Sequence, residues 1–323
     1  MTAVEPEVLV TALGREYALL KLDSCSSTND VLRQMLRPAT VGEPFERLPL
    51  FVQAAEQTAG RGRLGRQWRS LQGGLYLSLL WPGLLSAEQA VSLPLITALA
   101  ARAAVQPLTA DEVRIKWPND LLLLEGRGAA GRRDSPSCPE TISPVVKGKL
   151  AGILVELVGG HALIGIGINV VPTTTSAASL QFVADTADAA AAVGDNKISA
   201  SESDCSEGLP SACLYPAACC GQALIDQLRQ SLATHLLNSL EQASAAAWSF
   251  SGFAGEYRRH LAQLGEWVEI RDGLGSEIAA GTLRGIDVQG RLVVCTEQGE
   301  QLVYGGELTQ RKPPRERGHA GRR

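Results

Sequence analysis

Apolar positions along this chain follow two periods, and the changes between them mark out its elements. Leu50-Phe51-Val52-Gln53-Ala54 and Leu75-Tyr76-Leu77-Ser78-Leu79-Leu80-Trp81 are short apolar runs bounded by polar or glycine residues, which predicts buried strands. Val113-Arg114-Ile115-Lys116 alternates, turns at Pro118-Asn119-Asp120 and continues as Leu121 to Leu124, so a hairpin is predicted with Lys116 and Asp120 at its bend. Lys149 to Leu157 and His161 to Val171 read as two more strands. In the second of these, Gly165 and Gly167 strip one face of side chains and leave room for something flat.

Helical spacing appears in four places. Val31, Leu32, Met35 and Leu36 follow the polar cluster Ser26-Ser27-Thr28-Asn29, predicting a capped helix of about ten residues that ends near Pro38. Ser92-Leu93-Pro94 opens a second helix, with proline in its permitted first turn and Leu95, Ile96, Leu99 and Val105 on its apolar side. Leu224, Leu228, Leu232, Leu236 and Leu240 form a third, and Trp248 to Leu261 suggests a fourth. From Gly265 to Leu308 four short strands separated by turns predict a small antiparallel barrel.

This pattern divides the chain into a mixed α/β (α+β) domain over 1–264, a barrel over 265–310 and a basic, disordered tail over 311–323. Two low-complexity excursions, about 125–146 and 172–216, interrupt the large domain and are expected to be mobile. The 323 residues, 45% hydrophobic and 20% charged, suit a soluble globular protein with a sizeable core. The sequence opens without a charged-then-apolar leader and holds no uncharged apolar run of membrane-span length, so a cytoplasmic protein is expected. Seven cysteines without CxxC spacing predict reduced thiols and no metal site; His235 and His260 lack a second ligand at metal spacing. A net charge of −4 argues against a general nucleic-acid binder.

One stretch serves no core. In Gly60-Arg61-Gly62-Arg63-Leu64-Gly65-Arg66-Gln67-Trp68 glycines free the backbone for close approach, and arginines supply planar forks that match phosphate and carboxylate oxygens. It reads as an anion-binding clamp at the rim of a sheet, with a solvated basic loop as the plain alternative.

Five stretches in fixed order carry a resemblance: Ser27-Thr28-Asn29, Gly60 to Arg66, Lys116-Trp117-Pro118-Asn119-Asp120, Lys149 to Glu156, and Gly165-Ile166-Gly167-Ile168-Asn169. In that order they resemble the biotin–protein ligases, over most of residues 20–171 and weakly over the C-terminal barrel. The resemblance implies a mixed-sheet core with a small SH3-like barrel. It also implies activation of biotin with ATP and Mg²⁺, and transfer to a lysine of a biotin carboxyl carrier domain, such as that of acetyl-CoA carboxylase. On matching positions, Ser27, Thr28, Asn29 and Gln57 would bond the biotin ureido ring. Gly60, Arg61, Gly62, Arg63, Lys149 and Gly152 would hold the rest of biotin and its carboxyl end. Arg63, Arg66, Trp68, Lys116, Asn119, Lys149 and Asn169 would lie at the nucleotide.

The chemistry fits these residue types. Joining a carboxylate to a phosphate brings two anions together, and Arg63 and Lys149 would offset the repulsion. Asp120 would steer or deprotonate the carrier amine, or serve the hairpin only. No metal ligands are assigned, and the reaction needs no enzyme nucleophile. The Ser27-Thr28-Asn29 motif begins too early for an N-terminal DNA-binding domain, so no DNA partner is expected; a homodimer is allowed. The rivals are a lipoate or octanoate ligase of related fold and a nucleic-acid-binding module. Polar Ser27, Thr28 and Asn29 favour a ring with hydrogen-bonding capacity over a bare alkyl chain.

Overall fold

The computed structural model describes residues 6–36, 48–70, 72–125, 145–171, 211–214 and 222–310. Eight strands form one mixed sheet: β1 (Glu7–Val10), β2 (Glu16–Cys25), β3 (Leu50–Gln57), β4 (Gly74–Leu80), β5 (Glu112–Lys116), β6 (Asp120–Leu124), β7 (Val146–Val158) and β8 (His161–Asn169). Their order is β1-β2-β3-β4-β8-β7-β6-β5. Only β2 and β3 run parallel, with helix α1 (Thr28–Met35) in the connection between them. The predicted strands and the 113–124 hairpin are present, and Lys116 pairs with Asp120 at its bend.

The sheet's two faces differ. On one, Leu75, Leu77 and Leu79 of β4 and Ile164, Ile166 and Ile168 of β8 are buried in the main core with α3 (Leu93–Val105), α4 (Gln222–Ala245) and α5 (Ser251–His260). Burying each such side chain contributes about 1.5–3 kcal/mol. Ala98, Ala101 and Ala104 are buried on α3, whose small side chains let α4 approach closely. The short α2 (Ala87–Ala90) precedes α3 and carries a capping box from Ser86 and Gln89. The stretch Ala87–Leu108 is long and apolar enough to cross a membrane by length and composition. It carries Glu88 and Arg102, however, and 61% of its most apolar window is buried, as expected of a core helix.

The opposite face is covered only in part, by α1 over a small cluster of Leu20, Leu32, Val52, Leu80 and Leu163. Here Ser78 of β4 stands opposite Gly165 of β8, and Tyr76, Gly167, Gly152 and Asp120 fall in register across β4, β8, β7 and β6. A β-bulge sets one further position. Leu121 pairs with Ala151 but Leu122 pairs with Lys149, so β7 spends an extra residue there. Leu150 and Ala151 then both join the main core, and Lys149 turns to the cleft face.

The C-terminal strands are β9 (Trp267–Arg271), β10 (Glu277–Ile286), β11 (Leu292–Thr296), β12 (Gly299–Val303) and β13 (Glu307–Gln310). They make a five-stranded antiparallel sheet of order β12-β11-β10-β9-β13. The sequence reading supplied four of these; β13 was missed because it is four residues long and pairs with the non-adjacent β9. The tail 311–323 and nearly all of the excursion near 125–146 lie outside the described residues. So does most of the excursion at 172–216, but its stretch 211–214 belongs to the fold: Ala212 N bonds Lys149 O at 2.9 Å and Leu214 N bonds Asn169 O at 3.2 Å.

Candidate active site

A cleft opens on the partly covered face, bounded by α1, the 58–70 loop, the β5–β6 bend and β13. It encloses about 230 Å³ and opens to solvent beyond that.

One end is neutral and bonded to itself. Ser27 is the N-cap of α1 in position, but its side chain makes no capping bond and instead lines the cleft, which corrects the expected capping role. Thr28 N and Oγ1 both donate to Gln57 Oε1, at 2.9 and 3.1 Å. Gln57 Nε2 donates to Ser70 Oγ at 2.7 Å. Ser78 Oγ lies 2.6 Å from Thr28 Oγ1 and from Asn29 Oδ1, and Asn29 Nδ2 donates to Glu156 Oε2 at 2.8 Å. The flat object over the bare glycines proves to be the chain's own. A Cβ on Gly165 would come within 2.7 Å of Asn29 Oδ1, and one on Gly167 within 2.5 Å of Trp68 Nε1. A Cβ on Gly152 would meet the same indole at 2.9 Å. The indole N–H of Trp68 is buried without a hydrogen-bond partner among the described residues, a donor free for an acceptor in the cleft.

The other end is cationic. Lys149 Nζ sits 2.8 Å from Asp120 Oδ1 and 5.2 Å from the centre of the Trp68 ring. The Lys149–Asp120 contact is an ion pair whose angles fall outside hydrogen-bond geometry, since Asp120 Oδ1 has no hydrogen-bond donor among the described residues. Arg63 Nη1 donates to Asn119 Oδ1 at 3.2 Å, and Asn119 Nδ2 is anchored on Ile153 O at 2.8 Å. Burial lowers the Arg63 and Lys116 pKa values; at Lys116 Asp120 opposes the shift, while Lys149 and Arg66 add to it. Arg63, Lys116 and Lys149 therefore crowd around Asp120, an arrangement that an entering anion relieves.

Two of the loop arginines are tethers. Arg61 pairs with Asp30 of α1 and lies 3.8 Å from Glu156 Oε2, while Arg66 pairs with Glu307 of β13. Leu64, in the left-handed region at φ 56°, reaches the β9–β10 turn at Gly273. The loop thus bridges α1 and the C-terminal sheet across the cleft mouth.

Of the sequence-predicted residues, Ser27, Thr28, Asn29, Gln57, Arg61, Gly62, Arg63, Arg66, Trp68, Lys116, Asn119, Asp120, Lys149 and Gly152 line the cleft. Gly60 and Asn169 do not. A Cβ on Gly60 would lie 2.4 Å from Trp68 O, so this glycine serves the loop's own packing. Asn169 Nδ2 bonds Lys149 O at 3.2 Å and Ser211 Oγ at 2.8 Å, so it braces the strand behind Lys149. The sequence reading missed Ser78, Glu156, Ser211 and Glu307. Ser78 could have been found, because a lone serine in an apolar strand needs a buried partner; the other three depend on distant pairings.

Cys25 is no nucleophile. Burial, aided by Asp30, pushes its thiol up to about 11. Cys25, Cys213 and Cys295 are free thiols, and no group of three or more His, Cys, Asp or Glu suited to a metal occurs among the described residues.

The sequence profile of the biotin/lipoate A/B protein ligase family matches residues 26–170. Over 122 residues the chain is 39% identical to the bifunctional ligase/repressor BirA of Salmonella typhimurium, covering 36% of this chain and 31% of that protein. The match therefore spans about a third of that relative. Over 308 residues it is 27% identical to the biotin--[acetyl-CoA-carboxylase] ligase of Mycobacterium tuberculosis, covering 90% of this chain and 88% of that one. In fold it is similar to the biotin protein ligase of Aquifex aeolicus, solved in complex with biotin and ATP. The TM-score is 0.61 at 22% identity, covering 91% of this chain and 99% of that chain. The five motifs gathered on one sheet face all fall within residues 26–170, the stretch of this chain that matches the biotin/lipoate A/B protein ligase family.

Proposed function

We propose that this protein is an ATP-dependent biotin–protein ligase that forms biotinyl-5'-AMP and passes biotin to a lysine of a biotin carboxyl carrier domain. The observation that carries the reading is the meeting of a neutral hydrogen-bonding end (Thr28, Asn29, Gln57, Ser78) and a cationic end (Arg63, Lys116, Lys149) in one cleft. Biotin has that polarity: a cyclic urea at one end and a carboxylate at the other.

In the first step a biotin carboxylate oxygen attacks the α-phosphorus of ATP; the new C(O)–O–P bond forms as the bond to pyrophosphate breaks. Lys149 and Arg63 hold the two anions together and stabilise the charge that builds on the phosphorus oxygens. Lys116 and Arg66 would face the phosphates, and Trp68 would offer its ring to the nucleotide and its N–H to an acceptor. Mg²⁺ bound to ATP would neutralise the departing pyrophosphate. The cleft's few carboxylates suit an ion carried by phosphates and water rather than a protein cage.

In the second step the carrier lysine amine attacks the anhydride carbonyl, the amide forms and AMP leaves with the bonding pair. The attacking ammonium must first lose its proton, and we assign that role to Asp120, whose Oδ1, beside Lys149, has no hydrogen-bond donor among the described residues. We place the reaction in the cytoplasm, where ATP is supplied, and expect no DNA partner. The test is incubation with ATP, Mg²⁺ and a biotin carrier domain plus either biotin or lipoate, followed by mass analysis of the carrier lysine. Biotinylation is expected; lipoylation alone, or no modification, overturns the reading.

A further inference from the structure

We infer that Glu156 is a positioning residue that decides, through Asn29, which hydrogen-bond pattern the pocket accepts; this rests on reading the neutral end as the site of biotin's cyclic urea. Glu156 lies on β7, facing α1 rather than the reacting groups. Its carboxylate accepts from Arg33 Nη2 at 2.6 Å and from Asn29 Nδ2 at 2.8 Å, with the Arg61 guanidinium 3.8 Å away. Arg33 and Arg61 in turn share Asp30.

A carboxylate only accepts, so Asn29 must turn its NH₂ toward Glu156 and its carbonyl oxygen toward Ser78. The amide lies directly over Gly165, where any added Cβ would come within 2.7 Å of its oxygen, so only glycine leaves room for this arrangement. Three oxygen–oxygen contacts follow: Ser78 to Asn29 at 2.6 Å, Ser78 to Thr28 at 2.6 Å and Thr28 to Gln57 at 3.1 Å. Ser78 and Thr28 bring only two hydroxyl protons to these three contacts. Whichever way the hydroxyls turn, one oxygen is left facing another with no proton between them. Such a group is completed by a donor from outside, and a ring N–H is that donor. An alkyl chain, or a ring that only accepts, would leave the deficit in place.

Glu156→Gln reverses this logic. Arg33, which holds Oε1, can only donate, so it claims the glutamine oxygen and leaves the NH₂ in place of Oε2, facing Asn29. Asn29 then turns over, its own NH₂ meets Ser78, and three protons serve three contacts. The pocket no longer lacks a donor.

The test measures binding of two ligands by calorimetry on the full chain without ATP: biotin, and its analogue with ring oxygen in place of one urea N–H. The unaltered protein is expected to prefer biotin at least tenfold, about 1.4 kcal/mol. In Glu156→Gln that ratio is expected to fall toward one, while Glu156→Asp, which keeps an acceptor-only carboxylate, retains part of it. Equal binding of both ligands by the unaltered protein overturns the inference without any variant. An unchanged ratio in folded Glu156→Gln overturns it too, and leaves the functional reading standing. No binding of biotin by the unaltered protein overturns both.

Discussion

At one end of the cleft Thr28, Asn29, Gln57 and Ser78 bond to one another; at the other, Arg63, Lys116 and Lys149 gather around Asp120 with few bonds among them. The neutral end repays most of its burial internally, because Thr28, Asn29, Gln57 and Ser78 bond to one another and fall short by a single donor. The cationic end does not. Burial disfavours the charged forms of Arg63 and Lys116, and like charges add to the strain at Lys116. A fold keeps such a cluster at some expense in stability, and the expense is recovered when an anion binds. Substitutions at the two ends should therefore separate: neutral-end changes should cost folding, and cationic-end changes should cost chemistry.

The largest expected effect is on chemistry. Lys149→Ala should slow biotinyl-adenylate formation by about 10²–10³-fold, the scale of losing one preorganised charge contact, with little change in unfolding midpoint. Pyrophosphate release at a near-normal rate would sink the role given to Lys149. Arg63→Ala should speed release of the adenylate about tenfold to a hundredfold, from the loss of a charge-assisted bond of roughly 1.5–3 kcal/mol; an unchanged off-rate removes the clamp. At the neutral end Ser78→Ala should instead lower stability by about 1–3 kcal/mol, because Asn29 Oδ1 loses its buried partner. Denaturant midpoints check this, and an unshifted midpoint breaks the comparison.

The smallest effect concerns pH. The Lys116 pKa is lowered in the folded protein, so between that value and the ordinary 10.5 the unfolded chain holds a proton that the folded chain lacks. Stability should then rise with pH through that window, and the penalty should be fully present below it. Lys116→Met should flatten the alkaline slope, as followed by denaturation at several pH values; an unaltered slope would show that Lys116 is not the group responsible.

Most of the fold was legible because it is local. Period-two runs at 113–124 and 161–169 and the helical leucines of 224–240 specify their elements through neighbours a few residues away. β13 was not legible, since four residues carry too little pattern and its register is set by β9. The same holds at the site. The arginine loop announced itself through glycine spacing, yet nothing in that spacing says that Arg61 and Arg66 tie the loop to Asp30 and Glu307 while Arg63 stays in the cleft.

The sequence by itself determined the elements, the residue types at the site and the bare glycine face, because propensity, periodicity and side-chain size are properties of short stretches. Tertiary structure alone decided which way those groups point. The bulge at Leu150 turns Lys149 out of the core and into the cleft, where unbroken alternation from Gly152 would have sent it to the opposite face. Asn29 and Trp68 lie across glycines more than 80 residues away along the chain. Such contacts depend on strand register, and register is a property of the assembled sheet.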